Sequence, residues 1–169
     1  MKIYQKKSSQ KIPISKKKAW DFFSDPSNLK IITPKYMGFK IIDGYDKKIF
    51  PGQIIEYHVS PLLGIPVKWV TEITHVIDEK YFVDEQRFGP YALWHHKHFI
   101  KEINGGIIMD DIIHYKLPFG VIGQIAHPII VKPKLDEIFN YRYKKLIEIF
   151  GEFDKTESYT RNESLNKII

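Results

Sequence analysis

The chain has 169 residues, with 26 basic and 20 acidic side chains for a net charge of +6 at pH 7, 43% apolar residues and no cysteine. This balance suits one globular domain and excludes wholesale disorder, and the lack of cysteine excludes disulfides, thiolate metal sites and cysteine nucleophiles. No apolar run approaches the ~20 residues that span a bilayer, and Met1–Lys7 has no apolar stretch of the secretory type, so a cytoplasmic location is the default expectation.

In chain order, Lys2 to Ile14 reads as a strand, and Pro13 near its end suits an edge. Ser15 is placed to cap a helix over 16–24, whose Ala19, Trp20, Phe22 and Phe23 form the apolar face. Asp25-Pro26-Ser27-Asn28 breaks that helix and starts a second short one over 27–32, which Thr33-Pro34 ends. Six strands follow, over 37–45, 53–61, 67–77, 81–88, 92–103 and 107–117, with Gly, Pro or Asp at each break. Their short spacing predicts an antiparallel meander. Phe119 to Val131 carries two glycines, and Pro128 and Pro133 are expected to kink or divide it from the helix that follows. That helix places Leu135, Ile138, Phe139, Arg142, Leu146, Ile149 and Phe150 on one face and ends at Gly151. The domain is thus expected over 1–151, with 152–169 a polar, disordered tail.

The order is α+β: a strand, two short helices, six strands and a long helix. It predicts a curved antiparallel sheet of about seven strands around the C-terminal helix. Such a sheet cannot close on a helix along its full length, so an apolar cavity is expected between them.

Charge pattern sets which side chains face that cavity. Over 107–117 the odd positions are apolar except Asp111, and Ile113 and Tyr115 share its face. Over 92–103 Lys97 and Lys101 mark the odd positions as solvated, so Trp94, His96 and His98 point inward. A hairpin turn at Asn104-Gly105 sets His98 opposite Asp111; one at Gly105-Gly106 makes them diagonal neighbours. A buried carboxylate needs a partner, and His98 supplies one. By the same parity Trp69, Thr71 and Ile73 face inward, as do Ile55, Tyr57 and Val59; over 81–88 parity is ambiguous, and Phe82, Asp84 and Gln86 are the favoured inward set.

The basic charge does not point to nucleic acid. Only Arg87, Arg142 and Arg161 are arginine, and the lysines are scattered, as on a solvated surface. At most a transient contact with anionic lipid is expected of them.

Four stretches resemble one family: Phe22-Phe23-Ser24-Asp25-Pro26-Ser27-Asn28-Leu29; Phe82-Val83-Asp84-Glu85-Gln86 with Gly89-Pro90-Tyr91; Trp94-His95-His96-Lys97-His98; and Asp111 through Leu117-Pro118-Phe119-Gly120. With the element order, these are similar to the START/Bet v 1-like (SRPBCC) superfamily, over about residues 2–151. The nearest branch is its bacterial ligand-binding one, with polyketide cyclase/dehydrase-like and cell-division-inhibitor-like members. Ile100 departs from the aromatic usual in that branch. The resemblance implies a helix-grip fold. It leaves function open among carriers, receptors, cyclases and oxygenase domains.

The leading expectation is a binding protein for a small hydrophobic molecule, lipid, isoprenoid or polyketide-like. Its cavity contacts would be Trp94, His96, His98, Asp111, Ile113, Tyr115, Tyr57, Trp69, Gln86 and Phe139, with Phe119 to Val131 as a lid. The alternative is a cyclase, dehydratase or isomerase. There His98 oriented by Asp111 acts as general base, with Tyr115 or His96 as acid. His-x-His puts both imidazoles on one strand face, where Asp111 or Asp84 could complete a metal triad. Because the same residues satisfy one another, neither a metal nor a cofactor is assigned. The chain is expected as a monomer or homodimer.

Overall fold

The computed structural model describes residues 2–60 and 64–154. Pro61, at the end of an expected strand, and residues 155–169 of the expected tail lie outside the described residues.

Seven antiparallel strands form one sheet: β1 Tyr4–Ile12, β2 Lys40–Asp43, β3 Gln53–Val59, β4 Val67–Ile77, β5 Tyr81–Phe88, β6 Leu93–Ile103 and β7 Gly106–Lys116. Their spatial order is β1-β7-β6-β5-β4-β3-β2, so the first strand closes against the last and stands at an edge, as Pro13 requires. Between β1 and β2 lie α1 (Lys16–Phe23) and two short 3-10 turns, Pro26–Lys30 and Lys35–Met37. The Ser15 hydroxyl accepts from the Lys18 N–H and caps α1; Asp25 caps the first turn in the same way through Ser27. The expected strand over 37–45 is shorter than its apolar pattern suggests. Gly38 takes a left-handed conformation (φ +57°), which ends the second turn and delays β2 to Lys40.

Period-2 burial runs along β7, where Ile107, Met109, Asp111, Ile113 and Tyr115 are all buried. On β4 the register slips between Ile73 and His75. The bulge moves the inward set from Trp69, Thr71 and Ile73 to Val76, which packs on the core.

After β7 come α2 (Gly120–Ala126), a π-helical turn (His127–Val131) and α3 (Lys132–Phe150). Pro128 and Pro133 do not break this run. Pro128 falls in the wider π turn and Pro133 in the first turn of α3, where its missing N–H costs little. α3 buries Leu135, Phe139 and Leu146 in the hollow of the sheet, and Gly151 ends it with φ +89°. Among the described residues no helix is long and apolar enough to cross a membrane.

The sheet edge is held by close backbone contact. Ile12 and Ile107 pair across β1 and β7 and are almost wholly buried. A Cβ on the adjacent Gly106 would stand 2.2 Å from the Ile12 carbonyl oxygen. Gly106→Ala is therefore expected to push β1 from β7 and lower the unfolding free energy by about 1–3 kcal/mol in urea titrations followed by far-UV circular dichroism. An unchanged midpoint and slope would contradict it.

Candidate functional site

Between the concave sheet and α3 lies a cavity of about 190 Å³. Its wall is mostly apolar, with Ile55, Val59, Ile73, Phe82, Leu135 and Ile138 from both layers. At one place the Tyr57 hydroxyl meets Thr71 Oγ1 at 2.8 Å, and Trp69 Nε1–H donates to the same oxygen at 3.0 Å. Burial, with the Asp84 charge beside it, pushes the Tyr57 hydroxyl far above its ordinary pKa, so it stays neutral.

Asp25, Asn28 and Thr33 also reach the wall, and a further polar part is ionic and comes from three neighbouring strands. Asp84 on β5 pairs in register with His96 on β6, and His98 on β6 pairs with Asp111 on β7. All four stand on the inner face of the sheet and form a closed ring. His96 places Nε2 2.9 Å from Asp111 Oδ1 and Nδ1 3.4 Å from Asp84 Oδ2. His98 places Nδ1 2.9 Å from Asp111 Oδ1 and Nε2 2.7 Å from Asp84 Oδ2. The two imidazole centroids are 3.7 Å apart, and His98 also stacks on Phe82 at 4.1 Å. From α3, Arg142 Nη1 lies 3.7 Å from Asp111 Oδ1, and its guanidinium lies over the Phe139 ring. Arg142 Nε is fully covered and has no hydrogen-bond partner among the described residues.

Burial and charge oppose each other here. Burial alone would raise the carboxyl of Asp111, but hydrogen bonds from His96 and His98 hold it well below its usual range. Asp84 is lowered for like reasons: burial opposes, and the His96 charge and the His98 hydrogen bond prevail. For His98, burial disfavours the imidazolium, yet the bonds to Asp111 and Asp84 outweigh it and raise its pKa. His96 goes the other way, lowered by burial and then by the charge on His98. The ring therefore rests with two carboxylates, one imidazolium and the Arg142 guanidinium, and its formal charges cancel. That matters because a buried charge without a counter-charge is strongly destabilising. Chemically, the cluster offers a neutral imidazole and a protonated one side by side on a cavity wall.

Trp94, His96, His98, Tyr57, Trp69 and Phe139 line the cavity, as their strand and helix faces suggest. Asp111, Ile113, Tyr115 and Gln86 do not. Asp111 stands behind the two imidazoles that bond to it. Ile113 and Tyr115 pack with Leu117, Val131 and Leu135 towards the start of α3. The Tyr115 hydroxyl bonds to His127 Nε2 at 2.7 Å, and the His127 ring stacks on Tyr4 at 3.6 Å. Burial pushes the Tyr115 hydroxyl up to about 12. Gln86 turns its amide to the Tyr91 backbone, donating to the carbonyl at 2.6 Å and accepting from the N–H at 3.2 Å. Two participants had no role in the sequence reading, Arg142 and His127. Arg142 carried a signal, as a cation on an otherwise apolar helix face; His127 carried none beyond its place before Pro128.

The opposed shifts give a direct expectation. In ¹⁵N-imidazole titrations of the wild-type chain, His98 should remain protonated above pH ~6.5, while His96 should remain neutral below it. Two coincident titrations near the ordinary value would contradict the charge assignment.

No protein-family profile matches the chain, and no curated protein matches it. Solved structures do. Protein CV1439 from Chromobacterium violaceum superposes with a TM-score of 0.65 at 13% identity, over 88% of this chain and 98% of that one. A norcoclaurine synthase point mutant from Thalictrum flavum, in complex with a transition-state analogue, gives 0.61 at 14% identity over 87% and 96%. Ara h 8.0201 gives 0.54 at 14% identity over 87% and 99%. At these identities the likeness is one of fold.

Proposed function

We propose that this chain, which has the helix-grip fold of the Bet v 1-like superfamily, binds a small and largely apolar molecule in the cavity. Lipid, isoprenoid and polyketide-like molecules have the required chemistry: an apolar body for the wall and one polar end for the His96, His98, Asp84 and Arg142 cluster. One observation carries this reading. A charged cluster lies buried on the wall of a mostly apolar hollow, where a protein with no ligand to orient gains nothing from opening it to the hollow. The cluster is neutral as a whole, so it orients a polar group without demanding a fixed ligand charge.

A second reading is favoured by the opposed shifts of the two imidazoles. Adjacent groups whose environments push their pKa values apart suit acid–base work. His96, neutral and lining the cavity, would then be the base in a cyclisation, dehydration or isomerisation, and His98 the acid. These roles reverse the sequence-based assignment of His98 as base. Tyr115 has no part in them, since its hydroxyl is held by His127.

The first reading also gives work to the segment before α3. From Leu117 to Val131 no residue is charged, and Lys116 and Lys132 bracket it. Phe119, Val121, Ile122, Ile125 and Ile129 are each more than 60% exposed. Phe119 holds a left-handed backbone (φ +62°) that presents its ring to water. An exposed aliphatic strip flanked by lysines suits brief contact with an anionic bilayer, where an apolar ligand is exchanged.

Two measurements test this. 1-Anilinonaphthalene-8-sulfonate should bind with one-to-one stoichiometry and quench Trp69 and Trp94, and Ile138→Trp, which fills the cavity, should weaken it by about tenfold or more. Equal binding by that variant would place the probe on the surface and remove the cavity from the reading. Phosphatidylglycerol vesicles should sediment the chain more strongly than phosphatidylcholine vesicles, with added salt weakening the contact. The Ile122→Glu, Ile125→Glu double variant should lose the contact; retention would exclude the strip as its cause.

A further inference from the structure

We infer that Asp84, His96 and His98 form a binding site for one divalent transition-metal ion, with Asp111 orienting both imidazoles. The inference goes beyond ligand binding and does not depend on it.

The fixed point of the site is Asp111 Oδ1. It lies 2.9 Å from His96 Nε2 and 2.9 Å from His98 Nδ1. A carboxylate oxygen only accepts, so both of these nitrogens carry hydrogen. Each ring must then turn its other nitrogen the opposite way. His96 Nδ1 and His98 Nε2 both face Asp84 Oδ2, at 3.4 and 2.7 Å. The three ligand atoms lie within 4.8 Å of one another. A tetrahedral ion with bonds of about 2.0–2.1 Å sets its donors about 3.3 Å apart. The His96 to Asp84 separation already has that length. The shorter His98 contact is a hydrogen bond, which opens when an ion replaces the proton.

A proton leaves a conflict that an ion resolves. One proton satisfies His98 and Asp84 but leaves His96 Nδ1, an acceptor, facing the Asp84 carboxylate, also an acceptor. A cation between the three resolves that conflict. Charge is balanced in part: Arg142 stands beside Asp111 and offsets it, Asp84 offsets one of the ion's two charges, and the remaining positive charge faces the cavity.

The support around the three donors is of the kind that tunes metal sites. Their strands are central in the sheet, so the donors are held on rigid backbone. Asp111 fixes the tautomer of both imidazoles, a carboxylate–histidine arrangement doubled on one oxygen. Asp84, His96 and His98 all line the cavity, so further coordination positions open towards it. Two imidazoles and one carboxylate suit zinc, iron(II) or cobalt(II) better than magnesium or calcium.

The test uses the full chain after EDTA treatment, with the metal alone. Zinc is titrated by calorimetry and cobalt(II) by visible absorption. One equivalent should bind with a dissociation constant below about 1 μM, with proton release from His98. His96→Ala and His98→Ala should each lose binding by 100-fold or more. Asp111→Asn should weaken it by about 10–100-fold at unchanged stoichiometry. His114→Ala, on the opposite sheet face, should have no effect. If the buried variants unfold, the cobalt-loaded wild type decides: the large contact shifts of metal-bound imidazole protons must belong to His96 and His98 and not to His95 or His114. Absence of binding at 10 μM metal, or shifts centred on His95 and His114, would overturn the inference. The anilinonaphthalene titration is run in EDTA, so retained probe binding without metal binding sinks this inference and leaves the ligand reading standing.

Discussion

One carboxylate oxygen organises the interior of this protein. Asp111 Oδ1 is reached by both inward histidines of β6 and approached by Arg142 of α3, so it ties the sheet to the helix through charge. Because Asp111 is buried, it must hold counter-charges. Because it holds them, both imidazoles are fixed in orientation and turn their remaining nitrogens to Asp84. The orientation of the His96, His98 and Asp84 groups on this wall follows from that constraint.

The cavity follows from the geometry of the two layers. A sheet of seven strands that starts and ends with β1 and β2 at opposite edges curves around α3 but cannot contact it everywhere. Near the start of α3 the gap is filled by Ile113, Tyr115, Leu117 and Val131. Near its end Leu146 packs with Ile12, Ile100 and Met109. The hollow remains between these two clusters, and the ionic ring sits on its wall. Packing at both ends and charge in the middle is a division of labour: apolar burial supplies stability, and the polar ring supplies orientation.

The Tyr115, His127 and Tyr4 contacts form a second polar arrangement, separate from the ring. They join β1, β7 and the π turn, and so attach the exposed aliphatic segment to the sheet edge. That attachment explains why a segment with five largely exposed apolar side chains keeps a helical shape. It also explains why a tyrosine on the right strand face is no neighbour of the histidines.

Much of this was legible in the sequence. Alternation identified β4 to β7 almost to the residue, and lysines at odd positions of β6 turned His96 and His98 inward. Two hairpin turns fit the sequence, at Asn104-Gly105 and at Gly105-Gly106, and both keep His98 and Asp111 on one face within reach; the structure has the first, with the two residues paired. These are local or nearest-neighbour effects, which one strand pair suffices to decide. What the sequence left open needed a third element. Asp84 joins the ring because β5 lies on the far side of β6, and Arg142 because α3 crosses the hollow at that point. Tyr115 is drawn away because His127 comes back to it through the π turn. Parity places a side chain on a face, but only the packed layers decide which other charges that face meets.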